Sequence, residues 1–345
     1  MKRFWVKGII LVVLVSCLTL TGCKRRMSPE EFAKNLHSKF TLKSHTTPVL
    51  AIAFSPDGKT MVSTDSDGKI GFWDTQTGDQ KKMTSFHNIP LYAMAYSPDG
   101  EYIAMAGRDQ AVVYYDGKKQ EAMSSFIAHN DQILALAWGP KHILATASCI
   151  QRDPRQWCIK GEVAVWQFEE KGMNPKELKR FSDHTDWINA IAISPNGKYL
   201  ATGSGDNLIN IYETKTWEKV NTLKGHTGRV SVLAFPGKDS DLVGSAGLDG
   251  TARLWEVPDG DQKKLYKADG DKFMAMSFSP DGKMIATGGT DQKILIWLVK
   301  KEKVLKELSG LEGQVSALAF SPDGTSLAAG LYDNNILVWK AEKIK

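Results

Sequence analysis

Serine, histidine and aspartate recur together along this chain, and they are the side chains whose types and spacing most invite a chemical reading. His45, Ser63 and Asp67 form one group; His184, Thr202 and Asp206 repeat it, as do His226, Ser245 and Asp249. By composition each could serve a hydrolase, but a nucleophile needs an accessible base and an oxyanion site. Recurrence argues for a structural brace instead, because a buried carboxylate requires donors that an imidazole and the N–H groups of a tight turn can supply. Five histidines return at this place, each in its own repeat, which sets them too far apart to ligate one metal ion. From Ser63 to Asp74 the oxygens of Ser63, Asp65, Asp67 and Asp74 follow the spacing of a calcium loop, with Gly68 at the sharp turn. Flanking helices and a terminal glutamate are missing. Gly58-Lys59-Thr60 ends like a phosphate-binding loop, but Ala53 stands where that loop needs its first glycine. Neither a metal nor a cofactor is expected.

The cysteines carry a second kind of chemistry. The chain opens with Met1-Lys2-Arg3, Lys7 and an apolar run from Gly8 to Leu20, and then reads Leu20-Thr21-Gly22-Cys23. A basic start and a short apolar stretch read as a secretory signal, since the run is well short of the roughly 20 residues that span a bilayer as a helix. The tetrapeptide resembles the lipobox of bacterial lipoproteins. That resemblance implies removal of residues 1–22, acylation of the Cys23 thiol, and a membrane held through the lipid. Lys24-Arg25-Arg26 then form a basic tether suited to anionic headgroups. It also implies a place in the cell envelope. With two membranes this is the periplasmic side of the outer one, as Lys24 suggests; otherwise it is the outer face of the cell membrane. Cys17 leaves with the signal, so Cys149 and Cys158 are the thiols left in an oxidising compartment, and a disulfide between them is expected. Loss of Lys2, Arg3 and Lys7 lowers the formal charge from +5 to +2, which gives no case for nucleic acid.

The elements that position these residues are legible as a repeat. A histidine or its substitute is followed by an apolar strand, a Ser-Pro-Asp-Gly turn, a second strand, an aspartate and, six residues on, an aromatic. The aromatics are Trp73, Tyr115, Trp166, Tyr212, Trp255, Trp297 and Trp339, spaced by 42, 51, 46, 43, 42 and 42 residues. The aspartates are Asp67, Asp109, Asp206, Asp249, Asp291 and Asp333; Lys160 breaks the rule in the third unit. Ser55, Ser97, Ser194, Ser279 and Ser321 open the turns, in which proline presets one φ and glycine accepts a positive one, as a hairpin requires. A large apolar residue precedes each turn, from Phe54 to Phe320, as in a strand facing a core. One such sheet cannot bury both faces, but sheets stacked radially around a channel can.

These motifs resemble the WD-repeat (β-transducin-like) family over about residues 40–345. The resemblance implies an all-β, seven-bladed propeller and a buried network in each full blade. Carried onto this chain, the network is His45, Ser63, Asp67 and Trp73 in the first blade and His226, Ser245, Asp249 and Trp255 in the fifth. In the fourth it is His184, Thr202 and Asp206, with Tyr212 in the aromatic place. Asp269 and Leu311 replace the histidine elsewhere, and Met105 and Ala329 the hydroxyl, so those blades rest more on packing. The seventh unit stops just after Trp339. The strand from Phe40 to Lys43 is therefore expected to complete that blade and close the ring. Residues 23–39 form a tether with a short helix opened by the capping-box pattern Ser28-Pro29-Glu30-Glu31.

The third blade is irregular. Between Ala147 and Glu162 it inserts a loop from Cys149 to Cys158 that carries Arg152, Arg155 and Trp157 as candidate recognition residues. Two further sets of positions are expected on the same rim. One follows each histidine place by three residues, at Gln132, Trp187, Arg229, Lys272 and Gln314; the other just precedes the aspartate, at Arg108, Leu248 and Tyr332. The family resemblance implies a scaffold that binds a protein or peptide rather than an enzyme. The rival readings are a propeller enzyme or sugar-binding module with its site at the channel mouth, and a passive structural component of the envelope.

Overall fold

The turns explain the blades. At Ser55-Pro56-Asp57-Gly58 the Ser55 hydroxyl donates to Asp57 Oδ1 at 2.6 Å and accepts from the Thr60 N–H at 3.0 Å. Asp57 Oδ1 also accepts from the Lys59 N–H at 3.0 Å, and these bonds from Ser55 and Lys59 hold its carboxyl below the usual range. Gly58 sits at φ +70°, where a side chain would be strained. Ser97, Ser194, Ser279 and Ser321 repeat the arrangement, with Asn196 in the aspartate place of the fourth blade. Turns of successive blades also touch: a Cβ on Gly100 would lie 3.3 Å from Pro56, and one on Gly324 would lie 3.5 Å from Pro280.

A computed structural model describes residues 27–85, 88–169, 175–237, 241–268, 270 and 272–341. The expected signal, Cys23, Lys24 to Arg26 and Asp269 lie outside the described residues. The strands form seven four-stranded antiparallel sheets arranged as a propeller. In the first blade the strands are Val49–Phe54, Thr60–Asp65, Lys69–Asp74 and Gln80–Ser85, running from the axis outward. The second strand is buried along its whole length and the outermost is largely exposed. Each innermost strand touches the innermost strands of the blades on either side, which completes the ring.

The core is divided among the interfaces between blades. Val62, Phe72 and Ile70 of the first blade meet Leu91, Ile103 and Met105 of the second, and each later pair has an equivalent cluster. Fully burying such side chains contributes about 1.5–3 kcal/mol apiece, so every blade depends on both neighbours.

Closure follows the expected topology with a longer strand. Residues Leu36–Leu42 pair antiparallel with Ile336–Ala341, from Leu36 opposite Ala341 to Leu42 opposite Ile336, with an irregularity between Ser38 and Phe40. The helix Pro29–Asn35 runs directly into that strand, and its capping box is formed: Ser28 Oγ accepts from the Glu31 N–H, and Glu31 accepts from the Ser28 N–H. Phe32, 1% exposed, packs with its ring 5.7 Å from that of Phe320, beside the Ser321 turn. The Lys306 ammonium donates to the Leu36 carbonyl at 2.9 Å. Because Phe32 and Leu36 carry the closing contact, Phe32→Ala should destabilise the protein by about 3–5 kcal/mol, measured by urea unfolding. An unchanged midpoint would mean that the closing strand is held by backbone pairing alone.

Candidate functional site

The repeated brace is present, and it sets the geometry of one rim. In the fifth blade His226 Nδ1 lies 2.9 Å from Asp249 Oδ2 and Nε2 lies 2.8 Å from Ser245 Oγ, which also accepts from the Trp255 indole at 2.8 Å. Asp249 accepts in addition from the Thr227 and Thr251 N–H groups, each at 3.0 Å. A carboxylate accepts only, so Nδ1 carries the proton, and the serine hydroxyl bridges the imidazole and the indole. The fourth blade keeps His184, Thr202 and Asp206, with both imidazole contacts at 2.8 Å. There the Tyr212 hydroxyl donates to Asp183 at 3.2 Å, and Asn210 approaches His184. Met105 and Ala329 are fully buried and Leu311 nearly so, as packing blades require.

Two aspects of the brace depart from the sequence reading. In the first blade His45 contacts Asp65 at 2.8 Å, not Asp67, which is exposed and contributes only its N–H, to Asp65 Oδ1 at 3.0 Å. Side chains two apart on a strand share a face, so Asp65 reaches the imidazole from the end of the strand that holds Ser63. Ser63 and Trp73 keep their expected roles. In the third blade, where Lys160 broke the pattern, Glu162 supplies the carboxylate: its Oε2 lies 2.8 Å from His129 Nδ1 and 2.5 Å from Arg180 Nη1. Thr146 bridges His129 and Trp166 at 2.9 Å each. The spacing of His129, Thr146 and Trp166 was the signal that a carboxylate had to be near.

Burial alone would raise the carboxyls of Asp65, Asp206, Asp249 and Glu162, yet all four are held below their ordinary values. The opposing cause is the histidine bond and charge, with turn N–H groups added in the three aspartates and Arg180 in Glu162.

Above the brace, the two expected sets of rim positions are joined blade by blade through the backbone. The Leu248 N–H donates to the Arg229 carbonyl at 2.9 Å, Tyr332 to Gln314 at 3.0 Å, Gly205 to Trp187 at 2.9 Å and Thr290 to Lys272 at 3.3 Å. The Arg108 N–H reaches Pro90 at 3.1 Å, and Ser148 Oγ donates to the Gln132 carbonyl at 2.8 Å. Arg108, Arg229, Lys272, Gln314 and Tyr332 are exposed, whereas Gln132, Trp187 and Leu248 are half-buried.

The insertion is a β-ribbon rather than an irregular loop. Strands Ile143–Arg152 and Cys158–Gln167 run on past the sheet to the Cys149–Cys158 disulfide, whose Cα atoms are 5.9 Å apart. Arg152, expected at the tip, faces back: its Nε and Nη2 donate to Asp131 at 2.5 and 2.7 Å, and its guanidinium lies 4.8 Å from the Trp187 ring centre. A planar fork held by a bidentate carboxylate and stacked on indole is a clamp, and Nη1 adds a third bond, to the Gln156 carbonyl at 3.2 Å, so most of its donors are spent within the blade. The Arg155 side chain is 81% exposed and Trp157 is 62% exposed, with Ile150 and Ile159 open beside them.

The repeat model "WD domain, G-beta repeat" matches residues 36–74, 79–116, 175–213, 217–256, 261–297 and 302–340. The chain therefore belongs to the WD-repeat family, as a seven-bladed propeller. The match passes over the inner three strands of the third blade, the one that carries the ribbon and the displaced carboxylate. Two fungal proteins, each named "Protein hir1", are similar to part of it. The Schizosaccharomyces pombe protein is 28% identical over 156 residues, 37% of this chain and 17% of that protein. The Emericella nidulans protein is 27% identical over 150 residues, 36% of this chain and 14% of that protein. This chain thus spans less than a fifth of these relatives.

Two outcomes are expected from the brace. Asp65→Ala leaves His45 buried without its carboxylate and should cost about 3–5 kcal/mol, while Asp67→Ala should stay within about 0.5 kcal/mol, both read by urea unfolding. Equal effects would restore Asp67 to the network. Groups with lowered folded-state values stabilise the fold above their unfolded pKa, so stability should fall as pH drops through 4.5 and 3.8, the ordinary glutamate and aspartate values, and keep falling below them. A urea midpoint flat from neutrality to pH 3 would contradict that.

Proposed function

We propose that this protein is a lipid-anchored envelope scaffold that binds a protein or peptide partner on the rim bearing the third-blade ribbon. The observation that carries this reading is a rigid, clamped ribbon with an open tip. The disulfide and the Arg152–Asp131 pair hold its base, while Trp157 stays 62% exposed beside Ile150 and Ile159. Exposed apolar groups on a preorganised loop bind with little ordering cost, and tryptophan and arginine dominate interface energies. Trp187 acts beneath the clamp, and Arg155, Arg229 and Tyr332 supply exposed contacts on the same rim.

The inner channel gives the catalytic alternative less support. A cavity of about 180 Å³ there is lined by side chains such as Met94, Leu136, Ile191 and Leu233, with Tyr92, Asn189 and Ser231 as its polar groups. None of these is an acid or a histidine that could act as a general base.

The anchor is proposed on the Leu20-Thr21-Gly22-Cys23 motif. With Cys23 acylated, the chain to Met27 reaches at most about 14 Å. Met27 packs on the cluster around Phe32, beside the Ser321 turn. The rim of turns therefore lies toward the membrane and the ribbon faces away from it. In a host with two membranes this is the periplasmic side of the outer membrane, and otherwise the outer cell surface.

Mass spectrometry of membrane-extracted protein should show Cys23 as an acylated first residue; residues 1–22 still attached would refute the anchor. In-cell crosslinking from the ribbon should capture a defined partner. Trp157→Ala or Tyr332→Ala should weaken its binding by about 2 kcal/mol or more, roughly thirtyfold. Undiminished capture by both variants, with loss on changes at the turn rim, would move the site to the other face.

A further inference from the structure

Between the third and fourth blades, on the rim of turns, a half-open groove of about 650 Å³ falls within the size range of small-molecule sites. Its floor is apolar, from Ile143 and Ile193, and Leu178 forms an exposed outer wall. Trp217 lines it from the turn between the last two strands of the fourth blade, and its backbone is left-handed, at φ +58°.

That conformation is what singles the groove out. The Trp217 N–H closes its turn on the Glu213 carbonyl at 2.7 Å, just as Gly78 does on Asp74 and Gly260 on Glu256. Gly78 and Gly260 have φ of +81° and +90°, and Gln120 and Glu302 fill the same place in two other blades. A bulky aromatic in this region is an outlier that the surrounding structure must hold, and such outliers cluster at ligand sites. Here the indole packs against the cluster that joins the third and fourth blades and faces the groove.

In the groove's own lining three lysines stand against one carboxylate. Lys141, Lys198 and Lys215 are exposed and line the groove, against Glu213 as the carboxylate in its lining. Among the described residues none of the three ammonium groups has an ion-pair partner. Tyr199 completes the wall. Its burial, and the charges of Asp241, Glu213 and Asp259 nearby, keep its hydroxyl protonated above the usual range and able to donate.

We propose that this groove binds a small amphipathic anion, its apolar body against Trp217, Ile143 and Ile193 and its carboxylate or sulfonate among Lys141, Lys198 and Lys215. This site lies on the face opposite the ribbon and does not rest on the partner-binding reading. The test is a fluorescence titration of the folded protein with anilinonaphthalene sulfonate, followed by displacement with laurate. One saturable site displaced by laurate and weakened by salt is expected. Trp217→Gly should reduce affinity at least tenfold while keeping the fold, because glycine occupies the same turn in the first and fifth blades. Lys198→Glu with Lys215→Glu should do the same from the exposed mouth, where folding is not at stake. Trp157→Ala in the ribbon should leave the titration unchanged. Binding that survives both groove variants, or that laurate cannot displace, or that is lost with Trp157→Ala, would overturn the assignment.

Discussion

A four-stranded sheet of short strands has two faces to cover and cannot cover them itself, and the whole molecule is organised by that constraint. Each apolar cluster is built from two blades, so the first and last blades need one another as much as any sequential pair. The contacts that meet this need span the chain: Ser316 Oγ donates to the Val49 carbonyl, and Lys306 to the Leu36 carbonyl. The strand Leu36–Leu42 then removes the open edge that Ile336–Ala341 would otherwise present to another chain. Once the ring is closed, its two rims are rigid supports. Surface segments there can take on recognition without contributing to the core.

What was legible in the sequence was whatever the repeat imposed in most of the seven blades. The turns are one case, because serine, aspartate and glycine each have a bond or a backbone angle that no other residue serves as well at that place. The exchanged closing strand is another, since a seventh unit lacking its fourth strand leaves an edge that only a segment outside the repeat can cover. The rim positions were legible for the same reason: Arg229 and Leu248, or Gln314 and Tyr332, are set opposite each other by backbone bonds common to the blades.

Single substitutions within the repeat were harder to see, because strand periodicity permits more than one solution. Asp65 ends the second strand and Asp67 stands two residues on, exposed in the turn, and counting back from Trp73 selects Asp67. Selection between them is three-dimensional, since only Asp65 reaches His45 while taking the N–H groups of Asp67 and Lys69 with its second oxygen. Trp217 was hidden differently. Its place could be counted, five residues after the blade aromatic like Gly78 and Gly260, but a tryptophan there carries no local sign of a left-handed backbone.

The third blade shows how a brace and a recognition element can share one sheet. In the other braced blades the carboxylate stands in or beside the turn between the second and third strands, and its second oxygen takes the N–H groups of that turn. Here that turn is given over to the ribbon, so those donors are gone and a carboxylate left there would be short of partners. Glu162 solves this from within the third strand, four residues before Trp166 and on the same face. Arg180, reaching across from the outer strand, replaces the missing turn donors and itself packs over the Trp166 ring at 5.6 Å. The blade thus keeps its histidine, hydroxyl and indole while its turn projects from the rim. The repeat model leaves the inner three strands of this blade unmatched although its sheet has the same four strands as the rest.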